Sequence, residues 1–397
     1  MTGNLAPGRL ARIAPFLAGP VERGELTGAV ALVARGETVH VDTVGVQDSV
    51  SGQPMRRDTI FRIASMTKPV LAAVALMLIE EGRFALDDPI ERWLPELGQR
   101  RVLRAIDSPL DDTVAAERPI SVRDLMTMRL GLGAVMAPPE TYPIQTAMAQ
   151  RGVAPGACQI PFDPDEYMRR LGELPLIHQP GTRWLYHTAS DVLGVLIARV
   201  AGRPLGGVLA EHLFVPLGMA DTGFHLPKAK AARLATAYGW NAQGDGLAIW
   251  DKDADGAYSE PPAFPNLLVS TADDYLAFAR MLLAKGRGPT GRILSRASVT
   301  LMMTDQITPE QKAASFFAPG FWDNNGWGFG GAVVTRRHDI ASNPGAYGWT
   351  GGFGTSFVVD PAEGLVAMLL TQRLMRGPDD MTLARDLFTL AYAAIDD

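Results

Sequence analysis

The chain has 397 residues, of which 47% are hydrophobic and 20% charged, so it holds enough apolar material for a large folded core. Its formal net charge is -6, and no basic excess is present that would bind nucleic-acid phosphates. A chain of this length commonly divides into two lobes, which makes a site between lobes plausible.

The first predicted elements are those of an antiparallel sheet. Residues 29–34 and 39–44 are rich in β-branched side chains and are separated by the sequence RGET, which predicts a hairpin. A third extended piece, residues 59–64, ends at Ser65. Residues 69–81 are apolar nearly all round and predict a buried helix that ends at Gly82.

The rest of the chain predicts mostly helices up to about residue 230, then strands, then a last helix. The clearest middle helix covers residues 191–200, before Gly202. Strands are predicted at 331–335, 355–360 and 365–371, and a helix at about 381–394. The sheet therefore draws on both ends of the chain.

We predict an α/β lobe made of residues 1–62 and 230–397, with a helical lobe at 63–229 between them. The site should lie in the cleft between the lobes, at the start of the helix that follows Ser65. The loop at 133–164 is rich in proline, alanine and methionine, and is interpreted as a connecting loop or as a lid over an apolar acyl site.

Ser65 and Lys68 form the pattern S-x-x-K where a strand meets the buried helix. Residues three apart share one helix face, so Lys68 should lie beside the Ser65 hydroxyl. A serine needs a neighbouring base to become a nucleophile, and a desolvated lysine can serve. The alternative is that Ser65 caps the helix and Lys68 is a solvated charge. A lysine on an otherwise apolar, buried helix favours the catalytic interpretation.

The segment around this pattern, residues 61–69 with sequence FRIASMTKP, resembles the nucleophile segment of serine β-lactamases, DD-peptidases and β-lactamase-like family VIII carboxylesterases. The esterases are the most similar of these. The resemblance implies a β-lactamase/transpeptidase-like α+β fold, an α/β sandwich in which a central antiparallel sheet is flanked by helices, with a helical lobe beside it.

A second segment, residues 179–191 with sequence QPGTRWLYHTASD, resembles the family's tyrosine motif and implies that Tyr186 is a general base. A phenol can act as a base at neutral pH only if a nearby cation stabilises its phenolate, and Lys68 is the natural cation. Taken alone, Tyr186 would instead be a half-buried tyrosine in a hydrogen-bond network. Thr188 stands where β-lactamases carry asparagine, which weakens the inference of a grip on a β-lactam amide.

A third segment, residues 347–355 with sequence YGWTGGFGT, resembles the family's Lys-Thr-Gly strand. The resemblance implies that the N–H groups of Ser65 and Gly352 form an oxyanion hole, and that Trp349, Thr350, Gly351 and Thr188 contact the substrate. A glycine-rich hairpin turn would explain the same residues without any function.

This chain departs from the family pattern at two places. Trp349 replaces the lysine that helps to hold a substrate carboxylate, so a neutral ester should fit better than an anionic β-lactam. The residues at 336–338, RRH, could still supply positive charge from an adjacent strand. Residues 125–132, LMTMRLGL, differ from the Thr-His-Thr-Ser-Gly-type turn of relatives, which predicts a remodelled pocket wall.

Together these features predict a serine hydrolase that cleaves carboxylic esters of short to medium acyl chains, with a small-molecule ester as its partner. The alternatives are a β-lactamase, a D-amino-acid peptidase or an amide hydrolase, an acyltransferase, and a non-catalytic scaffold. We expect no cofactor and no metal, because the histidines lack zinc-site spacing. Cys158 is expected to be a buried, inert thiol.

We expect a cytoplasmic protein that does not bind membranes. The N-terminus shows no signal-peptide pattern. No stretch approaches the roughly 20 apolar residues that a membrane-spanning helix needs. The natural ester, the stereochemical preference and the oligomeric state are not predicted.

Overall fold

The computed structural model describes residues 4–156, 160–251 and 261–397. The prediction for Cys158 falls outside these residues.

The strands, in chain order, are β1 Gly28–Arg35, β2 Thr38–Gly45, β3 Phe61–Arg62, β4 Arg101–Leu103, β5 Thr113–Ala115, β6 Ala237–Trp240, β7 Leu247–Asp251, β8 Val269–Ser270, β9 Arg287–Gly288, β10 Gly291–Arg292, β11 Asn325–Trp327, β12 Ala332–Val334, β13 Tyr347–Gly351, β14 Thr355–Asp360 and β15 Leu365–Leu370.

The α-helices, in chain order, are α1 Pro7–Leu10, α2 Ile13–Glu22, α3 Thr67–Glu80, α4 Val122–Met126, α5 Pro143–Gln150, α6 Pro164–Gly172, α7 Thr188–Ala201, α8 Leu205–Leu209, α9 Val215–Leu217, α10 Lys228–Ala231, α11 Ala272–Leu283, α12 Arg296–Met302, α13 Pro309–Ala313, α14 Phe321–Asn324 and α15 Thr382–Ala393. Short 3₁₀ turns cover Ala64–Met66, Ile90–Arg92 and Pro95–Leu97, and a π-helical turn covers Ala210–Phe214.

Within the described residues, seven strands form one sheet in the order β11-β12-β13-β14-β15-β1-β2. The predicted hairpin is confirmed as β1 and β2, which pair antiparallel from Gly28 opposite Gly45 to Arg35 opposite Thr38. On its other side β1 pairs antiparallel with β15, with Val30 opposite Leu370. The sheet therefore contains strands from both ends of the chain, as predicted.

Helices cover both faces of this sheet, which gives the predicted α+β sandwich. Successive strand residues point to opposite faces, so alternate residues of β1 enter different layers. Val30, Leu32 and Ala34 belong to the main core, which also contains α3, α7 and α11. Ala29, Ala31 and Val33 belong to a second core with α2 and α15. The apolar run of β1 is explained by burial on both sides.

The third extended piece does not join the seven-stranded sheet. Only β3 within it is a strand, and it pairs with β8 in a separate two-stranded sheet. The pairing partner lies about 200 residues away in the chain, so no local pattern reveals it. The residues between 63 and 229 also contain less helix than predicted, with the hairpin β4–β5 and long irregular stretches. The lobe boundaries at residues 62 and 229 remain a prediction.

Among the described residues, no single helix is both long and apolar enough to cross a membrane. One bent pair, α7 followed by the helical stretch Leu205–Leu217 at 80°, meets the criteria of length and composition.

Candidate active site

Ser65 lies in the 3₁₀ turn Ala64–Met66, immediately before α3. Ala64 has a φ of 43°, a left-handed value that is uncommon for a residue with a side chain and that often marks a functional position. The turn is held from α11, where the Tyr275 hydroxyl donates to the carbonyl of Met66 at 2.9 Å. Burial raises the pKa of Tyr275 well above its usual value, so this donor keeps its proton. The nucleophile candidate is therefore fixed by its surroundings.

Lys68 lies on the same face as Ser65, as the spacing predicts. Its Nζ donates a hydrogen bond to Ser65 Oγ at 3.0 Å. Lys68 is 4% exposed and Ser65 is 9% exposed, so the pair is largely shielded from water. In the part of the chain that the structure describes, no carboxylate pairs with Lys68. A buried amine without a carboxylate is costly for stability, which favours a chemical role over a solvated charge.

Tyr186 completes the predicted trio. Lys68 Nζ lies 4.9 Å from the centroid of the Tyr186 ring, which is half-buried. The backbone of Tyr186 is held by the loop that follows residues 125–132, because Ala134 N–H donates to its carbonyl at 2.8 Å. Met128 accepts the N–H of Leu185 at 2.8 Å. The segment that departs from the family pattern therefore holds the residue before the tyrosine, and the loop after that segment holds the tyrosine itself.

A buried polar network lies behind Tyr186 and was not found from the sequence. His187 has a φ of 85°, and its Nε2 lies 3.3 Å from Oδ2 of Asp191. Tyr167 of α6 belongs to the same network, because its hydroxyl is hydrogen-bonded to Asp191. Burial, together with the carboxylate of Asp191, raises the pKa of Tyr167 well above its usual value. Both His187 and Asp191 are buried, so the contact ties the strained residue to the first turn of α7. The spacing of four residues between them was the available signal.

The end of β13 reaches the nucleophile turn. A Cβ on Gly351 would overlap the carbonyl oxygen of Ile63 and Oγ1 of Thr355, so only glycine allows this approach. Thr355 Oγ1 also donates to the Ile63 carbonyl at 3.2 Å. The carbonyl of Gly352, which follows directly, accepts the N–H of Met375 at 2.9 Å. These contacts fix the end of β13 against Ile63, which lies two residues before Ser65 in the chain.

Trp349 lies over Tyr186 on the same face of β13 as Gly351. Its Nε1–H donates to the Tyr186 hydroxyl oxygen at 2.6 Å, and the two rings lie 5.4 Å apart at 59°. Trp349 is 9% exposed. The structure therefore brings together Ser65, Lys68, Tyr186 and Trp349, although the tryptophan contacts the tyrosine instead of an open surface.

The two predicted threonines are placed differently. Thr350 points to the opposite face of β13 from Trp349, where its hydroxyl lies 2.9 Å from that of Ser356. Thr188 opens α7 and is 1% exposed, and its Oγ1 has no hydrogen-bond partner among the described residues. Their contact with a substrate remains a prediction.

An aromatic cluster surrounds Tyr186, and most of its members were not predicted from the sequence. The centroid of Phe317 lies 5.4 Å from that of Tyr186, and the centroid of Trp327 lies 4.5 Å from that of Trp349. The cluster consists of Trp184, Tyr186, Phe317, Phe321, Trp322, Trp327 and Trp349. The density of aromatic residues between 316 and 329 was the signal that could have revealed it. The site is thus backed by an apolar, aromatic layer.

The basic residues at 336–338 lie beyond the end of β12. β12 runs antiparallel to β13 with Ala332 opposite Gly348, so residues beyond Val334 extend away from Gly351. Arg336 is exposed and its Nε donates to Asn324 Oδ1 at 3.1 Å. These residues do not supply the missing cation beside Trp349.

In the described ranges, no three side chains of histidine, cysteine, aspartate or glutamate are grouped so that they could hold a metal ion.

Comparisons with known proteins give consistent matches along most of the chain. A family model described as Beta-lactamase matches residues 13–391. Protein Rv1367c of Mycobacterium tuberculosis is 41% identical over 361 residues, which cover 88% of this chain and 87% of the relative. Esterase EstB of Burkholderia gladioli is 33% identical over 373 residues, covering 89% and 87% of the two chains.

A solved structure described as "EstCE1, a hydrolase with promiscuous acyltransferase activity" has a TM-score of 0.77 to this chain at 25% sequence identity. The match covers 97% of this chain and 99% of the other.

The approach of Gly351 to Ile63 gives a first prediction. Gly351→Ala should push β13 off the nucleophile turn, lowering the unfolding free energy by about 1–3 kcal/mol and slowing the labelling of Ser65 by a fluorophosphonate. The control is Gly207→Ala, because a Cβ there meets nothing within 4 Å. Urea denaturation and labelling rates measure both effects. If Gly351→Ala and Gly207→Ala had the same stability and the same labelling rate, the close approach of Gly351 to Ile63 would be contradicted.

A second prediction concerns the pH dependence of stability and depends on His178, which contacts the segment at residues 125–132. The backbone N–H of His178 donates to the carbonyl of Gly131. Burial of the imidazole, with repulsion from Arg183, lowers the pKa of His178 from 6.5 to about 4. Between these values the unfolded chain binds a proton that the folded chain does not, so stability falls as pH falls below about 6.5. After discounting for partial exposure, we expect a loss of about 1 kcal/mol between pH 7 and pH 5.

His178→Gln should remove that part of the pH dependence, whereas His338→Gln, at an exposed position, should retain it. Urea denaturation at the two pH values is the measurement. An unchanged pH dependence in His178→Gln would show that this histidine does not stay neutral in the fold.

Proposed function

This chain belongs to the β-lactamase family, and we propose that within it the protein is a serine hydrolase that cleaves carboxylic esters of short to medium acyl chains through Ser65, Lys68 and Tyr186. The family match over residues 13–391 and the 33% identity to an esterase confirm the resemblance to the serine β-lactamase and penicillin-binding-protein superfamily. They also confirm the predicted β-lactamase/transpeptidase-like fold, as does the superposition with EstCE1.

The observation that carries the proposal is the distance of 3.0 Å between Lys68 Nζ and Ser65 Oγ, next to the Tyr186 ring. Ser65 Oγ attacks the ester carbonyl carbon while its proton passes to the Lys68–Tyr186 pair. The pair then returns a proton to the alcohol oxygen as the ester bond breaks. We assign the role of base to the pair and not to either residue alone.

The oxyanion of the tetrahedral intermediate requires two donors at the strand end. We assign them to the N–H groups of Ser65 and Gly352, because Gly351 brings this end of β13 against Ile63. Donors fixed in advance stabilise the developing charge without having to reorganise. A water molecule then attacks the acyl-enzyme, and the same pair accepts its proton, which releases the acid and restores Ser65.

The preference for an ester over a β-lactam rests on Trp349. Its indole is a neutral hydrogen-bond donor, and that donor is already engaged by the Tyr186 hydroxyl. The arginines at 336 and 337 lie beyond the end of β12, and their hydrogen bonds go to Asn324 and Asn343. An anionic substrate carboxylate would thus meet an aromatic surface with no cation among these residues, whereas a neutral acyl group would gain apolar contact.

The test of this proposal compares two classes of substrate. Wild type should hydrolyse p-nitrophenyl acetate, butyrate and octanoate, and it should turn over nitrocefin slowly or not at all. Ser65→Ala should lose ester hydrolysis by about a thousandfold or more, because no nucleophile remains. Ser51→Ala, at an exposed serine, should keep the wild-type rate. The dependence of the hydrolysis rate on acyl-chain length then indicates how large the acyl-binding site is.

Each opposite outcome identifies the part of the proposal that fails. Faster turnover of nitrocefin than of the esters would overturn the argument from Trp349 and favour a β-lactamase, D-amino-acid peptidase or amide hydrolase. Ester hydrolysis that survives in Ser65→Ala would overturn the nucleophile. Failure of wild type to react with a fluorophosphonate probe would favour a non-catalytic scaffold.

Acyl transfer is the second candidate, favoured by the description of the structural relative EstCE1 as a hydrolase with promiscuous acyltransferase activity. It needs no other machinery, because an alcohol replaces water in the second step. Adding a short alcohol to a reaction with p-nitrophenyl butyrate separates the two activities. An excess of the new ester over free butyrate at low alcohol concentration would favour transfer, and an excess of butyrate would favour hydrolysis.

A further inference from the structure

The indole N–H of Trp349 differs from those of its neighbours in the aromatic cluster. It donates to the Tyr186 hydroxyl oxygen at 2.6 Å. The Nε1 atoms of Trp184 and Trp327 are buried without a partner among the described residues. Trp322 donates to the carbonyl of Ser315. Of these four indoles, Trp349 is the one whose polar atom reaches a side chain of the predicted trio.

This contact constrains the proton of Tyr186. A tyrosine hydroxyl has one O–H donor and two acceptor lone pairs, whereas an indole nitrogen can only donate. Because Trp349 occupies one lone pair, the O–H of Tyr186 has to point away from the indole. A donor to oxygen also stabilises the ionised phenolate more than the neutral phenol, because a hydrogen bond to a charged acceptor is the stronger one.

We propose that Trp349 is a positioning residue that sets the orientation and favours the ionised form of the Tyr186 hydroxyl through its N–H. This role rests on the proposed function, and it is added to the substrate contact that the sequence predicts for Trp349. The proton of Ser65 still passes to the Lys68–Tyr186 pair and then to the leaving oxygen. Trp349 itself neither gains nor loses a proton.

Several side chains that can gain or lose a proton lie next to Tyr186, and each can contribute to the pH profile of the reaction. Lys68 faces it from α3 at 4.9 Å from the ring centroid. His187, the next residue, packs edge-on at 5.9 Å and contacts Asp191 of α7. Trp349 faces it from β13, and the remaining neighbours in the cluster are aromatic. A change in the pH profile can therefore come from Lys68, from His187 or from Tyr186.

The experiment removes the N–H and keeps an aromatic ring. Trp349→Phe should lower kcat for p-nitrophenyl butyrate by about tenfold to a hundredfold, while KM changes less than about twofold. The acidic limb of its pH profile should move up by about one pH unit. The same upward move is expected in the pH dependence of fluorophosphonate labelling of Ser65, which needs no knowledge of the natural substrate.

Trp327→Phe is the matched control. It removes the same ring atoms from the same cluster, but its indole N–H has no partner among the described residues. It therefore reports the cost of altered packing alone, and its acidic limb should stay at the wild-type position. Urea denaturation of both variants separates a loss of folded protein from a loss of rate.

Three outcomes would overturn the role of Trp349. The first is a rise in KM with unchanged kcat, which indicates substrate contact only. The second is an equal move of the acidic limb in Trp349→Phe and Trp327→Phe. The third is loss of the limb in His187→Asn, a substitution that tolerates positive φ, because the histidine would then set the pH response.

These outcomes are distinct from failure of the proposed function. If wild type labels with the fluorophosphonate but does not hydrolyse esters, the ester assignment fails while the labelling profiles still decide the role of Trp349. If wild type does not label at all, both proposals are wrong.

Discussion

The burial of helix α3 on every side is the constraint on which the rest of the site depends. Every residue from Thr67 to Leu78 is buried, so the helix can neither rotate nor slide without disturbing the core. α7 and α12 pack against it, and the backbone at Gly330 leaves no room for a Cβ beside the carbonyl of Lys68. Ser65 therefore has a fixed position, and the tyrosine and the end of β13 are arranged around it.

Local patterns were sufficient for the elements that depend on neighbours in sequence. The β1–β2 hairpin follows from two β-branched runs and a short polar turn, and α3 follows from an apolar run of helical length. The distance between Ser65 and Lys68 follows from helix geometry alone. The pairing of β3 could not be predicted, because its partner β8 is distant in the chain and pairing of that kind depends on the tertiary fold.

The contacts of the site between distant segments could not be obtained in this way. The hydrogen bond from Trp349 to Tyr186 joins residues 163 apart, and nothing in either segment indicates that an indole nitrogen meets a phenol. The resemblance predicted that both belong to one site, but for Trp349 it implied only contact with the substrate. The aromatic cluster explains the difference, because Phe317 packs against Tyr186 and Trp327 packs against Trp349. The roles of Thr188, Thr350 and Gly352 remain predictions.

The pairing of β1 with β15 joins the two ends of the chain, and this affects how the protein folds. The hydrogen bond between Thr355 and Ile63 spans 292 residues, and β1 lacks its inner neighbour until β15 has been synthesised. Contacts of such long range make folding slow, because the loop must close before the pairing contributes free energy. On a ribosome, the serine and lysine would emerge well before the strand that completes their surroundings. A partly synthesised chain would therefore carry the proposed nucleophile without Gly352, the second donor proposed for its oxyanion, and on this proposal reactivity would arise only at the end of folding.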